Sequence, residues 1–297
     1  METISVTKKR FESLDRYEIP NYVYNTEGEL YVLPIKNRWD TLYKIFKRLY
    51  LTIGVSFGNK LQTINSLIDN KDKIDIEELV FPEKIAIVNS QIVGFTMPLI
   101  ESINMKTAFR DDSISNERKI KYLKQIGYII DKMRKVREYT DVKDFYLNDI
   151  HEGNFIIDKD DNVRVIDVDS CKINGNFTFS SKYLNSTGLL KDIAKYHKSG
   201  DNDMGYYIPD YNTDIYCYII MIINFLYGDD INRASLEEFY GYLEYLEGIG
   251  LDRELLFIFE KILSNEINEN PYMLLDGLEK IRYRSHKNVY KCNIRKK

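Results

Sequence analysis

One short stretch limits what this chain can fold into, because its apolar and polar segments alternate at hairpin spacing. Residues 155–157 are apolar, residues 163–166 are apolar apart from Arg164, and the polar turn 159–162 lies between them. Short apolar runs bounded by turn residues predict two strands joined by a tight turn. Asn154 then begins the first strand and Asp167 ends the second. Antiparallel pairing would place these two ends side by side.

The side chains at these ends suit a hard cation and a phosphate. Mg²⁺ prefers oxygen ligands, takes few of them from protein and shares the rest with phosphate and water. Asn154 and Asp167 both supply such oxygens, and Asp149, five residues before Asn154, adds a carboxylate that can orient a hydroxyl and accept its proton. We therefore expect a Mg²⁺ and phosphate site here. The alternative is an acidic hairpin with a solvated turn.

This stretch resembles the catalytic and metal-binding loops of the protein kinase-like superfamily, which read His-Arg-Asp, four residues, Asn, and later Asp-Phe-Gly. The resemblance implies that Asp149 is the catalytic base, that Asn154 and Asp167 hold Mg²⁺, and that ATP is the phosphate donor. His151 lies where serine/threonine kinases carry a lysine, and protonated it would neutralise the transferred phosphate.

The sequence departs from the kinase pattern around these residues. Leu-Asn precedes Asp149 where His-Arg is usual, and Val-Asp follows Asp167 where Phe-Gly is usual. The string Asp-Ile-His-Glu-Gly-Asn is also similar to the Asp-x-His-x-Gly-Asn of aminoglycoside and choline phosphotransferases. A small-molecule acceptor therefore stays open beside a protein acceptor.

Composition excludes several other classes of protein. The chain has 297 residues with 44% hydrophobic content, enough for one two-lobed domain or two small ones. Its net charge of -4 gives no global signal for nucleic acid. Three cysteines without metal-ligand spacing predict a reducing, cytoplasmic compartment. The N-terminus lacks an apolar signal core and the longest apolar run, 216–227, is too short to span a bilayer, so we expect no membrane association.

Residues 1–100 predict a small β-rich region. The first 20 residues are ambiguous. Strands are expected at 22–24, 30–33, 41–46, 84–88 and 92–97, turns at 25–29 and 36–40, and an amphipathic helix at 56–69.

The resemblance implies that this region binds ATP. Lys44 would hold the α- and β-phosphates, with Lys36 as its rival, and the alternative for Lys44 is an edge-strand lysine that reaches water. Met97 would line the back of the adenine pocket, where core packing explains it equally well. Leu99 and Ile100 would offer backbone groups to the adenine edge.

Two parts of a kinase small lobe are missing. Only Gly28 lies where a glycine-rich loop would cover the phosphates. The predicted helix has no Glu to pair with Lys44, and Lys60, or alternatively Gln62, falls at that position. Two lysines there would repel each other unless a phosphate or a carboxylate such as Asp167 lies between them.

Residues 101–284 predict a mostly helical region. Helices are expected at 114–138, 212–227 and near 235–246, 252–263 and 271–283. The resemblance implies that Asp214 braces the catalytic loop by accepting backbone hydrogen bonds, and the alternative is an Asp that the helix dipole favours. The long segment 168–211 resembles an activation segment.

The expected fold is α+β and bilobal, of the protein kinase-like type. Residues 1–100 form a small lobe of antiparallel β-sheet plus one helix, 101–284 a large, mostly α-helical lobe, and 285–297 a basic tail. The expected function is transfer of the ATP γ-phosphate to Ser or Thr hydroxyls of a protein. The missing parts favour a pseudokinase scaffold for a protein partner as the alternative, and the Asp-x-His-x-Gly-Asn string favours a small-molecule kinase.

Overall fold

The computed structural model describes residues 2–17, 28–36, 41–49, 55–177, 208–228, 230–264, 266 and 269–280. It has a mixed α+β structure with two sheets and several helices. The chain divides into two compact units, and each is described by itself. Unit one takes its residues from Met1–Thr107, Lys132–Leu147 and Gly153–Phe179, and unit two takes the remainder.

A six-stranded sheet forms the first part of unit one. Its strands are β1 (Thr3–Val6), β2 (Asp15–Arg16), β3 (Gly28–Lys36), β4 (Thr41–Leu49), β5 (Lys84–Val88) and β6 (Gln91–Pro98), and a short helix α1 (Lys8–Glu12) follows β1. The spatial order of the strands is β1-β5-β6-β4-β3-β2. The strands predicted at 30–33, 41–46, 84–88 and 92–97 are confirmed, and the strand predicted at 22–24 lies outside the described residues.

One prediction near the N-terminus is corrected. Gly28 and Glu29 were placed in a turn, but they begin β3 and lie opposite Leu49 and Arg48 of β4. The pairing of β3 with β4 extends to Gly28 because a longer antiparallel ladder gains further backbone hydrogen bonds. Residues 1–20 are ambiguous in the sequence, and in the structure β1 lies among them and pairs in parallel with β5 at the edge of the sheet.

Helix α2 (Val55–Ile74) covers this sheet because one of its faces is apolar. Ile64 is fully buried and packs in one cluster with Val80, Ile85 and Phe95. Asp75, in the left-handed region at φ 41°, follows the last turn of the helix. The predicted helix at 56–69 is therefore confirmed and is longer than expected at its C-terminal end.

The second sheet has three strands and also belongs to unit one. Its order is β7-β8-β9, with β7 at Ser102–Asn104, β8 at Phe155–Asp158 and β9 at Val163–Val165. All neighbouring strands are antiparallel. The hairpin that the sequence predicted around residues 159–162 is thus confirmed.

Helices make up most of the remaining described residues. They are α3 (Met105–Arg110), α4 (Asn116–Tyr139), α5 (Tyr211–Tyr227), α6 (Leu236–Gly248) and α7 (Arg253–Ser264). A 3₁₀ stretch, Pro271–Lys280, replaces the helix expected at 271–283, and Gly277 within it disfavours an α-helix. Among the described helices, none combines the length and apolar character that a membrane crossing requires.

Helix α5 has well-formed ends in unit two. The side chain of Asp210 accepts a hydrogen bond from the Thr213 amide at 2.9 Å, and the Thr213 hydroxyl accepts one from the Asp210 amide. This reciprocal capping box fixes where the helix begins. Gly228 ends it with a φ of 76°, a conformation that glycine adopts without strain. The Tyr218 hydroxyl donates to the Leu123 carbonyl at 2.7 Å and so joins α5 to α4.

Candidate functional site

The β8–β9 hairpin holds Asn154 next to the segment that contains Asp167. Phe155 lies opposite Val165, and the Ile166 amide donates to the Asn154 carbonyl at 3.0 Å. Asn154 ends the 3₁₀ turn Glu152–Asn154 immediately before β8, and Asp167 lies two residues after the end of β9. The adjacency that the sequence predicted for these two residues is confirmed. Asn154 is buried, and Asp167 is half-buried.

The other end of the hairpin explains why the turn forms. One carboxylate oxygen of Asp158 accepts hydrogen bonds from the backbone amides of Asp160 and Asn162 at 3.0 and 2.9 Å. The second oxygen accepts a hydrogen bond from Nε of Arg164 at 2.8 Å. Burial alone would raise the pKa of Asp158, but these hydrogen bonds and the Arg164 charge outweigh it and lower that pKa. The sequence reads as a generic polar turn, whereas the structure gives Asp158 a specific closing role.

Asn104 of β7 supports the site end of the hairpin. Its side-chain amide donates to the Gly153 carbonyl at 3.1 Å, and its oxygen accepts the Lys106 amide at 2.9 Å. Asn104 is itself buried. It thus fixes the backbone immediately before Asn154. No local sequence pattern points to Asn104, because its contact joins segments 49 residues apart.

A buried ion pair lies beside Asp167. Lys60 of α2 places its Nζ 2.9 Å from Oδ2 of Asp169 and donates a hydrogen bond to Ser170 Oγ at 3.1 Å. Ser170 Oγ in turn donates to Oδ2 of Asp167 at 3.2 Å. The sequence predicted that either a phosphate or a carboxylate such as Asp167 would lie between Lys60 and Lys44. The structure gives Asp169 as the direct partner, with Ser170 as the link to Asp167.

The 3₁₀ turn Val168–Ser170 produces this arrangement. Asp167 precedes the turn, and the Ser170 and Cys171 amides donate to the Asp167 and Val168 carbonyls. The tight turn carries Asp169 and Ser170 to the helix α2 side of the segment, where α2 packs against it. In the sequence, Asp169 stands out only as a departure from Phe-Gly and Ser170 not at all, so the role of both residues was missed.

The loop with Asp149 belongs to unit two. Oδ2 of Asp149 lies 3.6 Å from Nε2 of His151, and both side chains are largely buried. Asn148, just before Asp149, adopts a left-handed φ of 68°, and its amide donates to Oδ1 of buried Asp214 at 2.8 Å. The expectation that Asp214 accepts a backbone hydrogen bond from this loop is confirmed. A left-handed residue needs such support, since asparagine adopts that conformation only with some strain.

The predicted nucleotide-binding residues lie on and after the sheet of unit one. Lys44 occupies β4 opposite Pro98 of β6, and its side chain lies outside the described part. Met97 is buried in the core cluster, against which Leu99 and Ile100 pack as half-buried residues. The core-packing reading of Met97 is therefore confirmed, while its role toward adenine stays a prediction.

The donors around the hairpin fit Mg²⁺ better than a transition metal. Within the described residues, no group of three or more His, Cys, Asp or Glu is close enough to hold a metal ion. A protein-only cage of the zinc type is thus not formed by them. Asn154 and Asp167 offer two oxygen-bearing groups, and Mg²⁺ commonly takes only one or two protein ligands and completes its shell with phosphate and water.

Comparison with known proteins adds no family assignment: no protein-family model matches the chain, and no curated protein matches it significantly.

Proposed function

We propose that this protein is an ATP- and Mg²⁺-dependent phosphotransferase of bilobal, protein kinase-like fold that transfers the γ-phosphate to Ser or Thr hydroxyls of a protein. The observation that carries the proposal is the hairpin register, which sets Asn154 and Asp167 at one end of a rigid pair of strands. A metal site needs ligands held in place before the metal arrives, and strands hold them better than loops.

In this proposal, Asn154 and Asp167 hold Mg²⁺, and Lys44 contacts the α- and β-phosphates. Bound Mg²⁺ would neutralise charge on the phosphate oxygens during transfer. Asp149 orients the acceptor hydroxyl and accepts its proton. The hydrogen bond from the Asn148 amide to Asp214 supports this role, because it restrains the backbone next to Asp149.

His151 has a second role in the proposal. Its Nε2 lies 3.6 Å from the Asp149 carboxylate. A protonated imidazole there adds positive charge beside the base and toward the transferred phosphate, whereas a neutral imidazole only orients the carboxylate. Such transfer depends mainly on positioning and electrostatic stabilisation, so one additional positive charge is a meaningful contribution.

A pseudokinase scaffold is the second candidate, and one contact favours it. Lys60 stands where a kinase helix carries its glutamate, and it pairs with Asp169. The usual partner for the phosphate-binding lysine is thus replaced by a residue of the same charge. A scaffold of this kind would bind a protein partner without turning over ATP.

Turnover of radiolabelled ATP separates these candidates. We expect wild-type protein to transfer phosphate to itself or to a Ser/Thr-rich protein substrate, and Asp149→Asn to lower the rate about 100- to 10,000-fold. Asp160→Asn, the same change at an exposed residue of the hairpin turn, is the matched control and should keep the wild-type rate.

Each result has a clear reading. Turnover that survives in Asp149→Asn contradicts the assignment of the base. Mg²⁺·ATP binding without transfer to protein, followed by transfer to an aminoglycoside or amino alcohol, moves the acceptor to a small molecule. Binding of a protein partner with no turnover on any acceptor supports the scaffold.

A further inference from the structure

The buried contacts beside Asp167 reverse the charge pattern that the resemblance implies for this helix. Lys60 carries a positive charge on α2, and Asp169 carries the negative charge on the segment after Asp167. Their side chains are only 6% and 1% exposed. Removing two charges from water is costly, so a pair this buried persists only with good geometry and additional hydrogen bonds. Ser170 supplies one of these.

The chemistry of the three groups fixes the direction of their hydrogen bonds. A lysine ammonium only donates, so Ser170 Oγ must accept from Lys60. The single hydroxyl proton of Ser170 is then directed to Oδ2 of Asp167, 3.2 Å away. The chain of contacts therefore runs from Lys60 through Ser170 to Asp167, and it selects one orientation of the Asp167 carboxylate.

We infer that Lys60 and Ser170 are positioning residues that orient Asp167 for binding Mg²⁺, with Asp169 as the counter-charge that keeps Lys60 in place. The inference rests on the proposed function, because it requires Asp167 to bind metal. Helix α2 would then contact the proposed metal ligand Asp167 through Lys60 and Ser170, without involving the phosphate-binding Lys44. Groups that hydrogen-bond a metal ligand typically tune its affinity by about 10- to 100-fold.

Ser170→Ala is the most selective test, because it removes the hydroxyl and leaves the Lys60–Asp169 pair intact. The readout is the Mg²⁺ concentration that gives half-maximal binding of a non-hydrolysable ATP analogue, measured by calorimetry. We expect this concentration to rise about tenfold. Affinity for the analogue in excess EDTA should stay as in wild type, and the melting temperature without ligand should fall only slightly.

Two sets of controls separate positioning from general damage. Ser13→Ala removes another hydroxyl of unit one, which donates to the Arg10 carbonyl, and should leave the Mg²⁺ requirement unchanged. Ser170→Thr and Ser170→Val have the same shape and differ in the hydroxyl alone. The Thr variant should need the same Mg²⁺ concentration as wild type, and the Val variant should need a higher one. This comparison keeps the test valid if the alanine variant is unstable.

The outcomes distinguish this inference from the proposed function. A wild-type protein that needs Mg²⁺ for the analogue, with Ser170→Ala unchanged or Thr equal to Val, overturns the inference and leaves the function standing. A wild-type protein that shows no Mg²⁺-dependent binding overturns the proposed function and this inference with it. A raised Mg²⁺ requirement in Ala and Val, but not in Thr, supports both.

Discussion

Helix α2 contains two lysines that each pair with a distant aspartate at almost the same distance but in opposite surroundings. Lys60 lies 2.9 Å from Asp169, and both side chains are buried. Lys73 lies 2.8 Å from Asp141, with side chains 50% and 72% exposed. The distance alone would rank them as equals. Burial separates them, because water and salt screen an exposed pair whereas a buried charge depends on its partner.

The comparison also separates structural from functional importance. The exposed pair joins the last turn of α2 to the second residue after α4, and either side chain can return to water. The buried pair joins the first half of α2 to the segment that contains Asp167, through a hydrogen bond that reaches the carboxylate itself. Only the buried pair is expected to influence both the stability of the fold and the proposed metal site.

The largest expected effect is that of Lys60→Met. The change keeps most of the side-chain volume but leaves Asp169 buried without its counter-charge. We expect the free energy of unfolding to fall by about 3–5 kcal/mol. Urea denaturation followed by circular dichroism measures this loss.

The double variant Lys60→Met, Asp169→Leu is the control for this prediction. It removes both charges, and replacing a buried pair by apolar groups is often neutral or stabilising, so most of the lost stability should return. A double variant that is as unstable as Lys60→Met would show that the loss comes from packing and not from the uncompensated charge.

The pair of Asp158 and Arg164 lies between the two extremes. Asp158→Asn weakens hydrogen bonds that a charged group makes in a half-buried turn, and it should cost about 1.5–3 kcal/mol at neutral pH. Burial tends to raise the pKa of Asp158 in the folded protein. The hydrogen bonds from the Asn162 amide and Arg164 outweigh burial, so the pKa is lowered. Its contribution is therefore present above the ordinary value of 3.8 and is lost as pH falls through the lower folded value.

Chemical denaturation of wild type and Asp158→Asn from neutral pH down to about pH 2 checks this sign. The difference between the two proteins should be constant at neutral pH and should shrink in acid. A difference that grows as the pH falls would contradict the lowered pKa.

The smallest effect is expected for Lys73→Met. The exposed pair should contribute no stability beyond the error of a denaturation experiment. The pKa of Asp141 is lowered chiefly by its hydrogen bond from Lys73, so this variant should raise that pKa toward its ordinary value. Carboxylate titration by NMR measures the change. A loss of stability as large as that of Lys60→Met would refute the distinction between the two pairs.

Local patterns predicted the parts of the fold that local interactions determine. The apolar runs around 159–162 were sufficient to predict the β8–β9 hairpin and the adjacency of Asn154 and Asp167, because turn residues and strand period are read directly from sequence. Helices α2, α4 and α5 were predicted for the same reason. The bracing contact of Asp214 followed from the resemblance and is present as a hydrogen bond to Asn148.

The missed features all depend on distant contacts or on a local turn of low sequence signal. β1 pairs in parallel with β5, about 80 residues away, and its alternation of polar and apolar residues covers only four positions, the shortest run that can indicate a strand. Asn104, at the end of β7, donates a side-chain hydrogen bond to the carbonyl of Gly153, which lies just before β8. The choice of Asp169 over Asp167 as the partner of Lys60 depends on the 3₁₀ turn at Val168–Ser170, which follows Asp167 and contains Asp169.

Calorimetry of ATP binding with and without Mg²⁺, on wild type and Asp167→Ala, tests the central claim most directly. If Asp167 holds the metal that carries the nucleotide, wild-type protein binds ATP in Mg²⁺ and binds it more weakly in EDTA. Asp167→Ala then shows the same weak binding under both conditions. Equal ATP affinity in wild type and Asp167→Ala in Mg²⁺, or no binding by the wild type at all, would contradict the claim.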